Sequence, residues 1–173
     1  MLYYPAVLVP CSSNAKWCLV GDQLCPSAGS CESGQGFCLV EYERALERID
    51  LVEATVVSDF IVIEKYGLST PSTRGFYLKA GDKVCLQEVS AAYVTITKGE
   101  GDPVREGEKI GYTLSSKGNL KTIRSSCNGI ITLVINITWE MPEKYVVVVV
   151  KEDELRQVFV REGTGGCSKE RPR

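Results

Sequence analysis

At 173 residues, with 44% hydrophobic and 24% charged side chains, the chain can bury one good core, or one core plus a small appended module. A formal net charge of −2 gives no general reason to bind nucleic acid or an anionic membrane, and no apolar run reaches transmembrane length. The sequence contains no histidine, which excludes Ser-His-Asp and Cys-His catalysis and imidazole metal ligands, and leaves Cys, Lys, Tyr and carboxylates for any chemistry.

The opening "MLYYPAVLVPC" lacks a charged n-region, so no signal peptide and a cytoplasmic location are expected. Residues 1–40 form a cysteine-rich region holding Cys11, Cys18, Cys25, Cys31 and Cys38. Five or six residues separate neighbouring cysteines, with no C-x-x-C knuckle to set two thiolates at tetrahedral geometry. The spacing therefore argues against zinc and makes these five cysteines disulfide candidates. The similar runs "WCLV" at 17–20 and "FCLV" at 37–40 flank a Gly/Ser/Pro-rich loop, which predicts a hairpin with Cys18 near Cys38. Eight cysteines and two methionines suggest a hyperthermophile, where intracellular disulfides are an exception to the reduced cytosol.

A short charged helix is expected over 41–50 ("EYERALERID"), then strands in "LVEATVV" and "FIVIEKYG" that pack on the core through residue 75. The polar stretch "GLSTPSTRG", 67–75, reads as a boundary. Beyond it, residues 76–160 are almost all β: "FYLKAGDKVCLQEV", "AAYVTITKGEGDPV", "EKIGYTL", "LKTIRS", "GIITLVINITW" and "KYVVVVVK" are strand-sized and punctuated by turn residues. Alternation places Ile131, Leu133, Ile135, Ile137 and Trp139 on one apolar face, opposite Thr132, Val134, Asn136 and Thr138. The unbroken run 146–150 is expected to be buried on both faces. Residues 161–173, with Cys167, read as a flexible basic tail.

Within the β region, Gly101-Asp102, Val104, Gly107 and Ile110 fit G-D-x-V-x-x-G-x-x-[LI], and Gly129 with Ile131 fits the returning strand. The pattern resembles the biotinyl/lipoyl-like barrel-sandwich hybrid, and the segment 76–151 is similar to the archaeal family known as domain of unknown function 2118. The fold class expected is thus mainly β with minor α: a barrel-sandwich hybrid domain preceded by a small cysteine-rich α+β region. Gly101, Gly107, Gly118 and Gly129 are its structural turns.

The resemblance also puts Lys117, in "SSKGN", in register with the lysine that carrier domains modify, making it the candidate site for biotin or lipoate. Its flanks, Ser116 and Gly118, differ from the "AMKM" of biotin carriers and the "TDKA" of lipoyl carriers, so no cofactor is expected. "TKGEGDPVREGEK" has glycines but neither phosphate-loop pattern, and its four carboxylates would repel an anion. Cys127, in "SSCNG", reads as a buried inert cysteine.

With no catalytic or metal-binding residues assigned, the function expected is a non-catalytic binding or scaffold module that docks on a protein partner or forms a homo-oligomer. No nucleic acid or membrane partner is expected. The alternatives are a covalent carrier through Lys117, and a thiol redox or metal-binding protein using the N-terminal cysteines.

Overall fold

The computed structural model describes residues 5–29, 31–32, 34–64 and 73–161. Cys167, most of the expected boundary at 67–75 and all but the first residue of the expected basic tail lie outside them. The chain is mainly β. In order it forms β1 (Ala6–Pro10), β2 (Ala15–Val20), β3 (Gln23–Gly29), β4 (Gln35–Val40), a 3₁₀ helix (Tyr42–Arg48), β5 (Ile49–Asp50), β6 (Thr55–Val56), β7 (Phe60–Ile63) and β8 (Thr73–Leu78). There follow β9 (Cys85–Ala91), β10 (Tyr93–Ile96), β11 (Pro103–Val104), β12 (Lys109–Leu114), β13 (Leu120–Arg124), β14 (Gly129–Asn136), β15 (Glu143–Val150), a 3₁₀ turn (Glu152–Glu154) and β16 (Arg156–Val160).

Seven strands close a barrel in the order β1-β4-β2-β3-β16-β8-β7. The cysteine-rich segment supplies four of them; β7, β8 and β16 come from the later parts of the chain and join it in one sheet. β7, before the expected boundary, and β8, which begins within its last three residues, pair antiparallel from Phe60↔Leu78 to Ile63↔Gly75. The barrel's parallel seam is β3 with β16. Against it lie two smaller sheets, β10-β12-β13 and β11-β14-β15-β9, which make a sandwich from residues 85–150.

Period-two alternation sorts the side chains into three cores. Ala6, Leu8, Ile61, Ile63 and Tyr77 point into the barrel with Phe37, whose ring meets that of Tyr77 edge-on at 5.8 Å. Their neighbours Val7, Val9, Phe60, Val62, Phe76 and Leu78 point outwards and pack against Leu133, Ile135, Val146, Val148 and Val150 of the sandwich. Val147 and Val149 face the sandwich interior with Ile110, Ile123 and Ile131. Residues 146–150 are thus buried on both faces, at 4% exposure or less, as the unbroken valine run implied.

Four sequence expectations are corrected. "WCLV" and "FCLV" do pair antiparallel, Trp17 opposite Phe37, yet they are not a hairpin: β3 forms the hairpin with β2, and β4 pairs on the far side of β2. Cys18 accordingly lies opposite Gly36, and the bridges are Cys11–Cys38 and Cys18–Cys31, with Cα separations of 5.8 and 5.7 Å. Cys25 is disulfide-bonded as well.

The helix expected over 41–50 is a seven-residue 3₁₀ helix, too short to sustain an α-helical ladder. It is held instead by Ala45, fully buried, and by Leu46 and Tyr42 against the shared core. The strand expected at 51–57 keeps only Thr55–Val56, because the Asp50 carboxylate accepts the Val52 and Glu53 N–H groups and turns the chain there.

The alternation across β14 breaks at a bulge between Ile131 and Leu133. Ile131 enters the sandwich core while Leu133 and Ile135 enter the shared core, and Thr132 is fully buried with its hydroxyl donating to Val148 O at 3.1 Å. The strand then ends where the Asn136 side chain accepts the Thr138 N–H at 2.9 Å, and Trp139 swings out to 93% exposure.

Candidate binding site

Lys117 stands at the tip of the β12–β13 hairpin. Leu114 and Leu120 close the ladder, and the five residues 115–119 form the turn. Gly118 N–H donates to Ser115 O, Ser115 N–H to Asn119 O (both 2.9 Å) and Asn119 N–H to Ser115 Oγ at 3.0 Å. Gly118 adopts φ +84°, which a side chain at that position would resist. The three hydrogen bonds fix the turn and leave the Lys117 ammonium in water. That exposure suits a residue read by a modifying enzyme, but the Ser116 and Gly118 neighbours do not match either carrier pattern. Gly101, Gly107 and Gly129 likewise sit at positive φ.

Beside this turn lies an open groove of about 610 Å³, lined by Ser90, Ala92, Thr113, Ser116, Lys121 and Met141 among others. Its walls are hydroxyls, the Asn119 carboxamide, apolar groups and one ammonium, a set that offers no acid and base in partnership. On the outer face of the three-stranded sheet, Tyr93, Leu114 and Leu120 stand directly opposite one another across β10, β12 and β13. They are 56%, 36% and 67% exposed, and Met141 on the groove's far wall is 63% exposed. With Trp139, two residues along, five large exposed apolar side chains belong to this sheet and the adjoining loop.

A second cleft, about 470 Å³, opens where the 3₁₀ helix meets the sandwich and is lined by Tyr42, Lys98, Glu100, Asp102 and Val134. The Tyr42 hydroxyl donates to Glu100 Oε1 and accepts the Val134 N–H at 2.9 Å. Burial, reinforced by the Glu100 carboxylate, holds the Tyr42 phenol far above its ordinary pKa. Glu100 is itself buried and committed to the phenol, so the pair ties two parts of the fold together.

The neighbouring glycine-rich turn spends its amides internally: Gly99 N–H on Asp102 Oδ2, Asp102 N–H on Gly99 O, and Gly101 N–H on Ile131 O. A phosphate cradle needs those donors free. At the half-buried Glu108, the hydrogen bond from Lys98 Nζ, 2.7 Å long, is the main cause lowering the carboxyl pKa.

Cys127, 2% exposed, is bridged to Cys85 with the Cα atoms 6.0 Å apart, so it carries no thiol. Among the described residues no cysteine is free, and no group of three or more His, Cys, Asp or Glu is arranged to hold a metal ion. No helix among them is long and apolar enough to cross a membrane. Sequence reasoning missed the Tyr42–Glu100 link, whose partners are 58 residues apart with no local signal, and it placed Trp139 on the buried face.

No curated protein matches the chain. A family model does, and its match begins at Cys11, taking in the cysteine-rich strands as well as the sandwich. The chain belongs to DUF2118, described as uncharacterized protein conserved in archaea, over residues 11–152.

Proposed function

We propose that this protein is a non-catalytic binding module that docks on a protein partner through the end of the small sandwich bearing the Lys117 turn. The observation that carries the reading is the exposed row of Tyr93, Leu114 and Leu120 on the outer face of the three-stranded sheet, with Met141 exposed at the groove along the same end and Trp139 exposed two residues before it. Exposed aromatic and aliphatic anchors beside a concavity are the usual core of a protein interface. A groove without a paired acid and base, in a chain without histidine, supports binding over catalysis. Its setting is the cytoplasm of a hyperthermophile, where intracellular disulfides persist.

The test is site-specific photo-crosslinking in the native host, with benzoylphenylalanine at position 139 or, as control, at exposed position 16 on β2. A discrete cross-linked protein is expected from 139 alone, and Leu120→Glu should abolish it. Equal products from both positions, or none from 139, would end this reading.

The exposure of Lys117 at a hairpin tip favours one second reading, a covalent carrier. Intact mass of protein from the native host decides it: an excess mapping to Lys117 makes the protein a carrier, and an unmodified mass removes that reading.

A further inference from the structure

Strand β13 is an edge, bonded on one side by β12. Its hydrogen-bonding phase follows from its two ends. Ser115 N–H meets Asn119 O at one end; at the other, Ser125 N–H meets Glu108 O at 2.8 Å and Gly107 N–H meets Ser125 O at 2.7 Å. Successive residues of an antiparallel strand turn their N–H and C=O groups to opposite sides. Lys121 and Ile123 therefore face β12, while Leu120, Thr122 and Arg124 face outwards. The Gln87 side chain covers one end of that open side, donating to Arg124 O at 2.7 Å and accepting the Ser126 N–H at 3.0 Å. The N–H and C=O groups of Leu120 and Thr122 have no protein partner among the described residues.

The charge along this edge is of one sign. Lys117, Lys121 and Arg124 follow it, and Lys109 stands opposite Arg124 on β12. All four are exposed, none is in an ion pair among the described residues, and β10, β12, β13 and the 115–119 turn contain no carboxylate. Four cations outside any ion pair are thus gathered here in a chain whose net charge is −2; Arg124 Nη1 donates to Gly107 O at 3.0 Å and Lys109 lies against Tyr112, which leaves Lys117 and Lys121 as the uncommitted pair.

Resting on the docking reading, we propose that the open edge of β13 takes up an acidic peptide segment in extended conformation, added as a fourth strand of the sheet. Backbone groups at Leu120 and Thr122 would supply the ladder, and the lysines and arginine would meet the partner's carboxylates. A peptide suits the edge better than a nucleic acid, since the alternating donor and acceptor there complement another peptide backbone. A second copy of this chain is disfavoured, because pairing β13 with itself would bring both sets of cations together.

The probe is the fluorescein-labelled peptide Glu-Val-Glu-Thr-Glu-Val-Glu-Thr, titrated with the full, oxidised chain by anisotropy. The same peptide with Lys for Glu, and an oligouridylate, serve as comparisons. Binding that weakens with salt is expected, with the lysine peptide at least tenfold weaker. Thr122→Pro removes an outward N–H while sparing the β12 ladder, and Lys117→Glu with Lys121→Glu reverses the charge. Each should weaken binding by roughly tenfold or more.

Hydrogen exchange on the unmutated chain gives a readout independent of those variants: the Thr122 amide should exchange fast alone and be slowed at least tenfold by the peptide. Failure of the acidic peptide to bind, binding without Thr122 protection, or tighter binding of oligouridylate would each overturn the inference. Cross-linking from position 139 that persists in Thr122→Pro would leave the docking reading standing when the peptide inference fails.

Discussion

Replacing Tyr42 by Phe removes one hydroxyl and with it the polar link between the 3₁₀ helix and the sandwich. Two hydrogen bonds go: one to the Glu100 carboxylate, the other from the Val134 N–H at 2.9 Å. A bond to a charged acceptor contributes about 1.5–3 kcal/mol and a neutral one about 1 kcal/mol, so a sealed site would lose up to about 4 kcal/mol. The site is not sealed. Glu100 and Val134 line a cleft of about 470 Å³, and water entering it rehydrates both groups. The aromatic ring stays in the shared core, so no large cavity adds to the cost. The expected loss is therefore about 2 kcal/mol, which for a chain of this size lowers Tm by roughly 4–8 °C. Urea unfolding followed by far-UV circular dichroism, with disulfides intact, measures it. A double-mutant cycle with Glu100→Gln should return a coupling of about 1 kcal/mol, since the amide oxygen still accepts from the phenol. A Tyr42→Phe protein within about 0.5 kcal/mol of wild type would refute the link.

Removing the Cys85–Cys127 bridge with paired alanines should cost about 4 kcal/mol, from the loop entropy of a 42-residue separation; unfolding midpoints of the oxidised proteins would show it. The 27-residue Cys11–Cys38 and 13-residue Cys18–Cys31 bridges should cost less, in that order. In alkali, burial and the Asp59 carboxylate push the Tyr77 phenol up to about 12 from 10.0, and Tyr42 is raised by burial as well. The stability these raised values contribute is complete below pH 10, and for Tyr77 it is lost as pH rises towards about 12. Urea midpoints should accordingly fall above pH 10, less steeply in Tyr77→Phe. At the acid end the lowered Glu108 value contributes stability above the ordinary carboxyl range, lost as pH falls through the folded value; Lys98→Met should reduce that loss. Gly129→Ala should destabilise by about 3 kcal/mol, since φ is +143° and the added Cβ would lie 2.1 Å from the Val150 carbonyl oxygen; an unchanged midpoint would refute this.

Local pattern determined a good deal about this protein. The turn glycines, Gly118 among them, and the apolar alternation marked the sandwich strands, and the valine run of β15 announced burial on two faces, because strand length and turn chemistry are encoded within a few residues. Contacts between distant residues decided the rest. The pairing of β16 with β3 joins Phe159 to Gln23, and nothing near either residue signals it. That closure makes the cysteine-rich strands part of a barrel, and the insertion of β2 between β3 and β4 sets which cysteines meet. The bulge at Thr132 is likewise a tertiary outcome: β14 serves two cores at once, and one extra residue turns Ile131 to one and Leu133 to the other. Past Ile137, whose N–H still meets Lys144 O, the Thr138 hydroxyl rather than its backbone takes the Lys144 N–H, so the alternation that put Trp139 inside has no sheet to act on. The exposed face beside Lys117 exists because β10, β12 and β13 are covered on one side only, a property of how sheets stack that no single strand's sequence contains.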